Sequence, residues 1–398
     1  MGASIRTISL MAAGIRDGDS RTFCHSSGCL ANSQTPLPIA HAGGGHPDHY
    51  DRFWFNGYTE DYYFAVALGI YPNRGVIDAA FGVVHEGRQR SVFASGRMPL
   101  DPTRTQVGPI SIDITEPLRV NRVRVDAADL GLTADLTFTA RTAAFSEPRQ
   151  TLLDGTRPIM DVTRLAQMGQ WSGTVGLPGT SLTLDPAAVY GTKDRSWGIR
   201  PVGQPAPAAP SRTVPQIFFL WAPLNFAEEC LHFMTFEDAE GKAWAKTAAV
   251  LPVIGTDAPV YGPGAEAEHI EEAAHRVRWA PGLRRSQGAT LTLSRDGRPE
   301  TVQLEPLLTF RMRGAGYLHP TWGHGRWHDE LAVGAEEHSV GELDTLDPTC
   351  VHVQQVVRAS WGERTGLGVL EQLVIGPHAP SGFRDLFDGA APDRAEDR

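Results

Sequence analysis

Hydrophobic and polar positions along this chain alternate with a period of two much more often than with the period of a helix. In LGLTADLTFTA, residues 130–140, Leu132, Ala134, Leu136, Phe138 and Ala140 fall on one face and Thr133, Asp135, Thr137 and Thr139 on the other, as a half-buried antiparallel strand requires. PISIDIT (109–115) alternates likewise, and ATLTLSRDGRPETVQLEPLLTF (289–310) predicts two strands joined at the turn residues RDGRP. Only EAEHIEEAAHR (266–276) offers an amphipathic helix, and one short helix does not make a protein of alternating strands and helices. The fold is expected to be mainly β, with 42 glycines and 29 prolines supplying the turns.

Residues 1–47 hold no sustained period and read as a flexible lead-in. PVGQPAPAAPSRTVPQ (201–216), with five prolines, predicts a boundary near 205, giving domains 48–205 and 206–378 and a tail over 379–398. A length of 398 residues fits two ordinary domains.

Composition narrows the partners. The formal charge of −10 and the lack of a basic stripe argue against nucleic acid, whose binding rests on clustered Lys and Arg. No run of about 18 uncharged apolar residues predicts a membrane-spanning helix, and the N-terminus makes a poor secretory leader. Four cysteines, Cys24, Cys29, Cys230 and Cys350, form no disulfide framework, so a reduced, cytoplasmic setting is expected. Cys24 and Cys29 read as loop residues rather than metal ligands.

The chain lacks a G-x-S-x-G elbow, a Walker loop, an H-E-x-x-H pair and a G-x-G-x-x-G helix opening. Three dense clusters remain. FWFNGYTEDYYFAVALGIYPNRG (53–75) sets Asn56, Glu60 and Asp61 among Trp54, Tyr58 and other aromatics, a composition that suits either a pocket wall or the core of a barrel. GYLHPTWGHGRWHDE (316–330) brings His319, His324 and His328 near Asp329 and Glu330. Their spacing matches no established metal site, and histidines in a glycine-rich turn or a metal-free acid/base role fit as well. YGTKDRSWGIRP (190–201) places Asp194, Arg195 and Trp197 between Gly191 and Gly198, and Arg200 between Gly198 and Pro201, as a structural ion pair or a site at a cavity rim. In VLEQLVI (369–375), Glu371 shares a face with Val369, Leu373 and Ile375; burial there would raise its pKa, whereas at a strand edge it would simply pair with an arginine.

GTKDRSWGIRP resembles the Asp-x-x-Trp-Gly motif of the lipocalin-like two-domain proteins that include carotenoid 1,2-hydratase (hydroxyneurosporene synthase) and AttH-type proteins, and GYLHPTWGHGRWH and VHVQQVVRASWGERTGLGVLEQLVIGP are similar to members of that group. Arg195 stands where the hydratases carry histidine. The resemblance implies two calycin/lipocalin-like antiparallel β-barrel domains packed together over residues 48–378, an apolar cavity near their junction and no organic cofactor. It further implies an enzyme that hydrates, dehydrates, isomerises or cyclises a small hydrophobic substrate of terpenoid, steroid or polyketide type by acid/base catalysis. Asp194, His319, His324 and Glu371 are the candidate catalytic residues, and Trp54, Asn56, Tyr58, Trp197, Arg200, Trp221 and Trp322 the candidate substrate-binding residues, with no metal. A non-catalytic carrier of a hydrophobic ligand is the alternative.

Overall fold

Alternation carries directly into the architecture. The computed structural model describes residues 45–101, 103–205, 215–262 and 264–391. Residues 1–44 of the lead-in predicted over 1–47, with Cys24 and Cys29, and most of the proline-rich linker therefore lie outside the described residues. The first half of the chain forms β1 (His49–Tyr58), β2 (Tyr62–Tyr71), β3 (Val76–His85), β4 (Arg88–Arg97), β5 (Gln106–Val107), β6 (Ile110–Glu116), β7 (Val120–Ala127), β8 (Leu132–Ala140), β9 (Phe145–Ser146), β10 (Gln150–Asp154), β11 (Arg157–Leu177), β12 (Thr180–Leu184) and β13 (Tyr190–Ile199). The second half forms β14 (Ile217–Asn225), β15 (Glu229–Glu237), β16 (Ala243–Pro252), β17 (Glu268–His269), β18 (Ala273–Trp279), β19 (Ser286–Arg295), β20 (Arg298–Arg311), β21 (Leu331–Ser339), β22 (Val353–Trp361) and β23 (Arg364–Ile375).

The strands make two antiparallel sheets, a nearly closed barrel and a half barrel. The barrel runs β21-β4-β3-β2-β1-β13-β11-β8-β7-β6-β5, and its ends meet where Gly108 lies against Val333 and Leu331. Its edge strand β21 comes from the second half of the chain and pairs with β4 from Leu331↔Gly96 to Ser339↔Arg88. The half barrel runs β17-β16-β15-β14-β23-β22-β20-β19-β18. Among the described residues no helix is long and apolar enough to cross a membrane.

The predicted hairpin at 289–310 is β19 and β20, turned at Asp296 (φ 50°) and Gly297 (φ 72°); two successive positive φ values match the right-handed twist of the strands, which is why Asp-Gly serves there. The helix expected over 266–276 is instead β17 and the start of β18. Ile270, Ala273 and Trp279 are taken into the half-barrel core, and β18 pairs with β19, so sheet pairing overrides a helical pattern of Glu and Ala. Residues 379–391, read from the sequence as the start of a tail, contribute Phe383 and Ala390 to the same core.

Because neighbours on a strand point to opposite faces, each strand that borders both layers serves two cores. On β1, Phe53 and Phe55 fill the barrel while Trp54 and Tyr58 face the half barrel. On β14, Phe218, Leu220 and Ala222 fill the half barrel while Phe219 and Trp221 face the barrel. The sheets thus pack outer face to outer face, and the aromatic run of 53–64 supplies both barrel core and junction wall.

Both glycines of YGTKDRSWGIRP are dictated by contact. A Cβ on Gly191 would sit 2.2 Å from Asn56 O and 2.3 Å from Trp171 Nε1, the two atoms joined by a 2.8 Å hydrogen bond. Gly198 has φ +133°, and its Cβ would meet Asp161 O at 2.1 Å. Gly191→Ala is expected to cost about 1–3 kcal/mol by overpacking, read as a lower urea midpoint with an unchanged slope.

Candidate functional site at the junction of the sheets

At the centre of the junction, β1, β13 and β11 place Trp54, Asp194 and Ala166 side by side in register. Asp194 is 7% exposed, and its Oδ2 is 3.0 Å from Arg164 Nε. Arg164 lies on the even face of β11 with Val162, Ala166 and Met168, and its Nη1 is 3.7 Å from Glu147, a carboxylate with no side-chain exposure. Glu147 Oε1 is 3.1 Å from His232 Nε2 and accepts from Trp221 Nε1 at 3.3 Å, and its Oε2 accepts from Gln150 at 2.7 Å.

These neighbours separate the two carboxyls. Burial pushes Asp194 up to about 7; Arg164 opposes the shift, and the charges of Glu147 and Glu371 reinforce it. Burial acts on Glu147 in the same sense, but Arg164, His232 and Trp221 outweigh it and hold that carboxyl below its ordinary value. One acid is therefore held ionised while its neighbour can keep a proton near neutrality, the division that acid/base chemistry uses.

Across the junction, Glu371 projects from β23 on the face of Val369 and Leu373, as its period predicts. It contacts His352 Nε2 at 2.6 Å and accepts from Gln354 Nε2 at 2.6 Å. Gln354 Oε1 in turn accepts from Tyr63 Oη at 2.5 Å and Asn56 Nδ2 at 2.9 Å, while Asn56 Oδ1 accepts the backbone N–H of Thr192. This chain of bonds links the barrel to the half barrel through buried polar groups, so the position of Glu371 is fixed from both sides.

Tyr317 forms the third wall. Its ring is 5.8 Å from Trp54, 4.8 Å from His352 and 4.4 Å from His324, with Arg52 and Arg200 at 5.2 and 5.5 Å. Several polar atoms around it are buried without a hydrogen-bond partner: Trp54 Nε1, Tyr50 Oη, Arg52 Nε and Nη1, Arg200 Nη2 and His352 Nδ1. Unmet donors are costly in a protein interior and mark a place where a polar group is received.

The sequence candidates divide accordingly. Asp194, Glu371, Trp54, Asn56, Arg200 and Trp221 meet at the junction. Tyr58 lies on its border, accepting from Asn225 Nδ2 at 2.9 Å. His324 bonds Ala315 O at 2.9 Å, and burial, with Arg52 and Arg200 nearby, pushes its pKa well below the imidazole value. It stands at the edge as a neutral ring. His319 is elsewhere, held by Glu336 at 2.7 Å and against Phe93, on which Trp322 stacks at 5.6 Å. His319 and His324 thus have separate hydrogen-bond partners, His328 packs on the Trp322 ring, and among the described residues no group of three His, Cys, Asp or Glu is arranged to hold a metal ion.

Trp197, three residues along the strand from Asp194, falls on the opposite face with Arg195. Arg195 reaches into the barrel, pairing with the buried Asp51 at 2.5 Å over the ring of Phe53. Arg164, Glu147, His352, Gln354 and Tyr317 were not singled out from the sequence. The period-two rule that flags Glu371 also flags Arg164, a charge on the even, apolar face of VTRLAQM; Glu147 and His352 carry no comparable local signal.

A nearly closed antiparallel barrel backed by a half barrel, with a cluster of ionisable side chains buried between them, defines a lipocalin-like β fold. The chain belongs to the family of unknown function DUF8625, whose model matches residues 32–384. No curated protein matches it in sequence. Among solved structures it is similar to an AttH-like protein from Nitrosomonas europaea (13% identity, 86% of this chain and 98% of that one, TM-score 0.51) and to kievitone hydratase from Nectria haematococca (13% identity, 87% and 95%, TM-score 0.50). At such identity the likeness is one of fold.

Proposed function

We propose that the junction is the active site of a hydratase-type enzyme, which adds water to, or removes it from, a carbon–carbon double bond of a largely apolar small molecule. The observation that carries this reading is a buried carboxyl, Asp194, which shares Arg164 with the enclosed Glu147 and is paired in register with Trp54, and whose pKa burial pushes up to about 7 while that of Glu147 is held low. The hydratase among its structural neighbours supports the same class of reaction.

In hydration, the proton on Asp194 passes to one alkene carbon, and positive charge develops on the other beside the Trp54 and Tyr317 rings. Water adds to that carbon, and Glu371, oriented by His352 and Gln354, takes the proton that water releases. Dehydration runs the same steps backward. The proton lost by Asp194 equals the one gained by Glu371, and exchange with solvent resets both. A pure hydrocarbon would leave Arg52 Nε and Nη1, Arg200 Nη2 and Tyr50 Oη unmatched, so the substrate is expected to carry an oxygen function such as a carbonyl or hydroxyl near Tyr317.

The reading fixes a pH dependence. Since Asp194 must be protonated, hydration is expected to fall as pH rises through about 7. Carbon-13 NMR of aspartate-labelled protein, assigned with Asp194→Asn, reads the titration directly. A midpoint in the ordinary range near 3.8 would remove the proposed proton donor.

A further inference from the structure

Beside the junction cluster, where the ends of β20 and β21 meet the turns after β1 and β3, two arginines line a cleft, and among the described residues neither has an ion-pair partner. Arg311 closes β20 and is 2% exposed. Its backbone is clamped by Gln89, which donates to Arg311 O and accepts from Arg311 N, each at 2.8 Å. Among the described residues its guanidinium makes no ion pair or side-chain hydrogen bond, and its buried Nε has no partner. Arg285, half-buried beside it, likewise has no side-chain partner among the described residues.

Their neighbours show what a matched arginine looks like here. Arg284 pairs with Asp388 at 2.5 Å and donates to three backbone carbonyls, those of Gly376, Asp385 and Asp388, at 2.7 Å; Arg313 binds Glu336 and Thr349. For Arg311, burial and then the charge of Arg285 push the pKa down to about 10; Cys350 and then Asp344 offset this only in part, and neither forms an ion pair with it. Two like charges, one of them fully buried, are unfavourable unless something negative joins them.

The cleft they line has a volume of about 620 Å³. Leu307, Leu308 and Val340 form an apolar wall that packs against the junction cluster, and Leu343 lines the cleft as well. Of the carboxylates on its rim, Glu60 is taken by Arg358, and Asp61 and Glu86 lie at strand turns.

We propose that Arg285 and Arg311 form a binding site for the oxyanion head, carboxylate or phosphate, of an amphiphilic small molecule whose apolar part lies along Leu307, Leu308 and Val340. Arg311 is the fixed member, held in place by Gln89, and the more accessible Arg285 completes a two-guanidinium fork, the arrangement suited to planar or tetrahedral oxyanions. The site stands apart from the reading of Asp194 and does not depend on it.

Calorimetric titration with decanoate, decyl phosphate and decanol below their aggregation limits tests the assignment on wild type, Arg285→Gln and Arg311→Met. At least one anion is expected to bind the wild type about tenfold or more tightly than decanol, and each substitution to lose most of that preference. Which anion binds distinguishes the carboxylate from the phosphate. Without ligand, Arg311→Met is expected to melt no lower than wild type, because it removes an uncompensated buried charge. If Arg311→Met does not fold, the half-exposed Arg285→Gln carries the comparison. Equal binding of the anions and decanol, or a preference that survives Arg285→Gln, overturns the proposal.

Discussion

Asp194→Asn is expected to lower turnover of the junction site by at least about 10²-fold, the usual contribution of a positioned proton donor, while leaving the fold intact. The amide keeps the size of the side chain and can still occupy the space between Trp54 and Arg164. Its stability signature is as informative as its kinetics. A carboxyl whose pKa is raised in the folded state favours folding below the unfolded value near 3.8 and loses that advantage as pH rises through about 7. Asparagine has no proton to lose, so the variant is expected to gain stability relative to wild type as pH rises from about 4 to about 7 and to keep that gain above it, as followed by urea unfolding. A stability difference flat across that range would mean that Asp194 ionises alike in folded and unfolded chains.

Arg164→Met is expected to produce the largest loss of stability, about 3–5 kcal/mol, the cost of breaking a buried ion pair by removing one partner. Arg164 is the cation adjoining both Glu147 and Asp194, and Glu147 is completely enclosed. Methionine fills much of the same volume but leaves Glu147 to His232, Trp221 and Gln150. In the variant, Glu147 should be pushed up, and most of the loss should be recovered by lowering the pH until that carboxyl protonates. The double variant Arg164→Met, Glu147→Gln should likewise recover most of it. A loss unchanged by Glu147→Gln would instead point to packing around Arg164 rather than charge.

The layers of the fold could be read from alternation because successive side chains on a strand point to opposite faces, whether the second face meets another core or solvent. The strand predicted over 130–140 and the Asp-Gly hairpin show this, as does Glu371, whose apolar companions placed it on the junction face. Period two also explains why Asp194 and Trp197, both in the motif, part company: a separation of three residues sends them to opposite sides of β13. The remainder of the site depends on pairings that a single sequence does not contain. Glu147 meets His232 and Trp221 from 85 and 74 residues away only after the two sheets pack. His319 and Trp322 looked like site residues because of their density, yet their loop lies over Phe93 on β4 and near the edge strand β21. In that setting density reflects a glycine-rich cap, whose aromatics cover an otherwise exposed sheet face.

The central claim is that the junction performs water chemistry through Asp194 and does not merely hold a ligand. Untargeted mass spectrometry of a small-molecule extract incubated with wild type or with Asp194→Asn tests it most directly. A species differing by one water from its precursor, formed by the wild type and absent with the variant, is the predicted result. Recovery of the same bound molecule, unchanged, from both proteins would contradict it and make the protein a carrier.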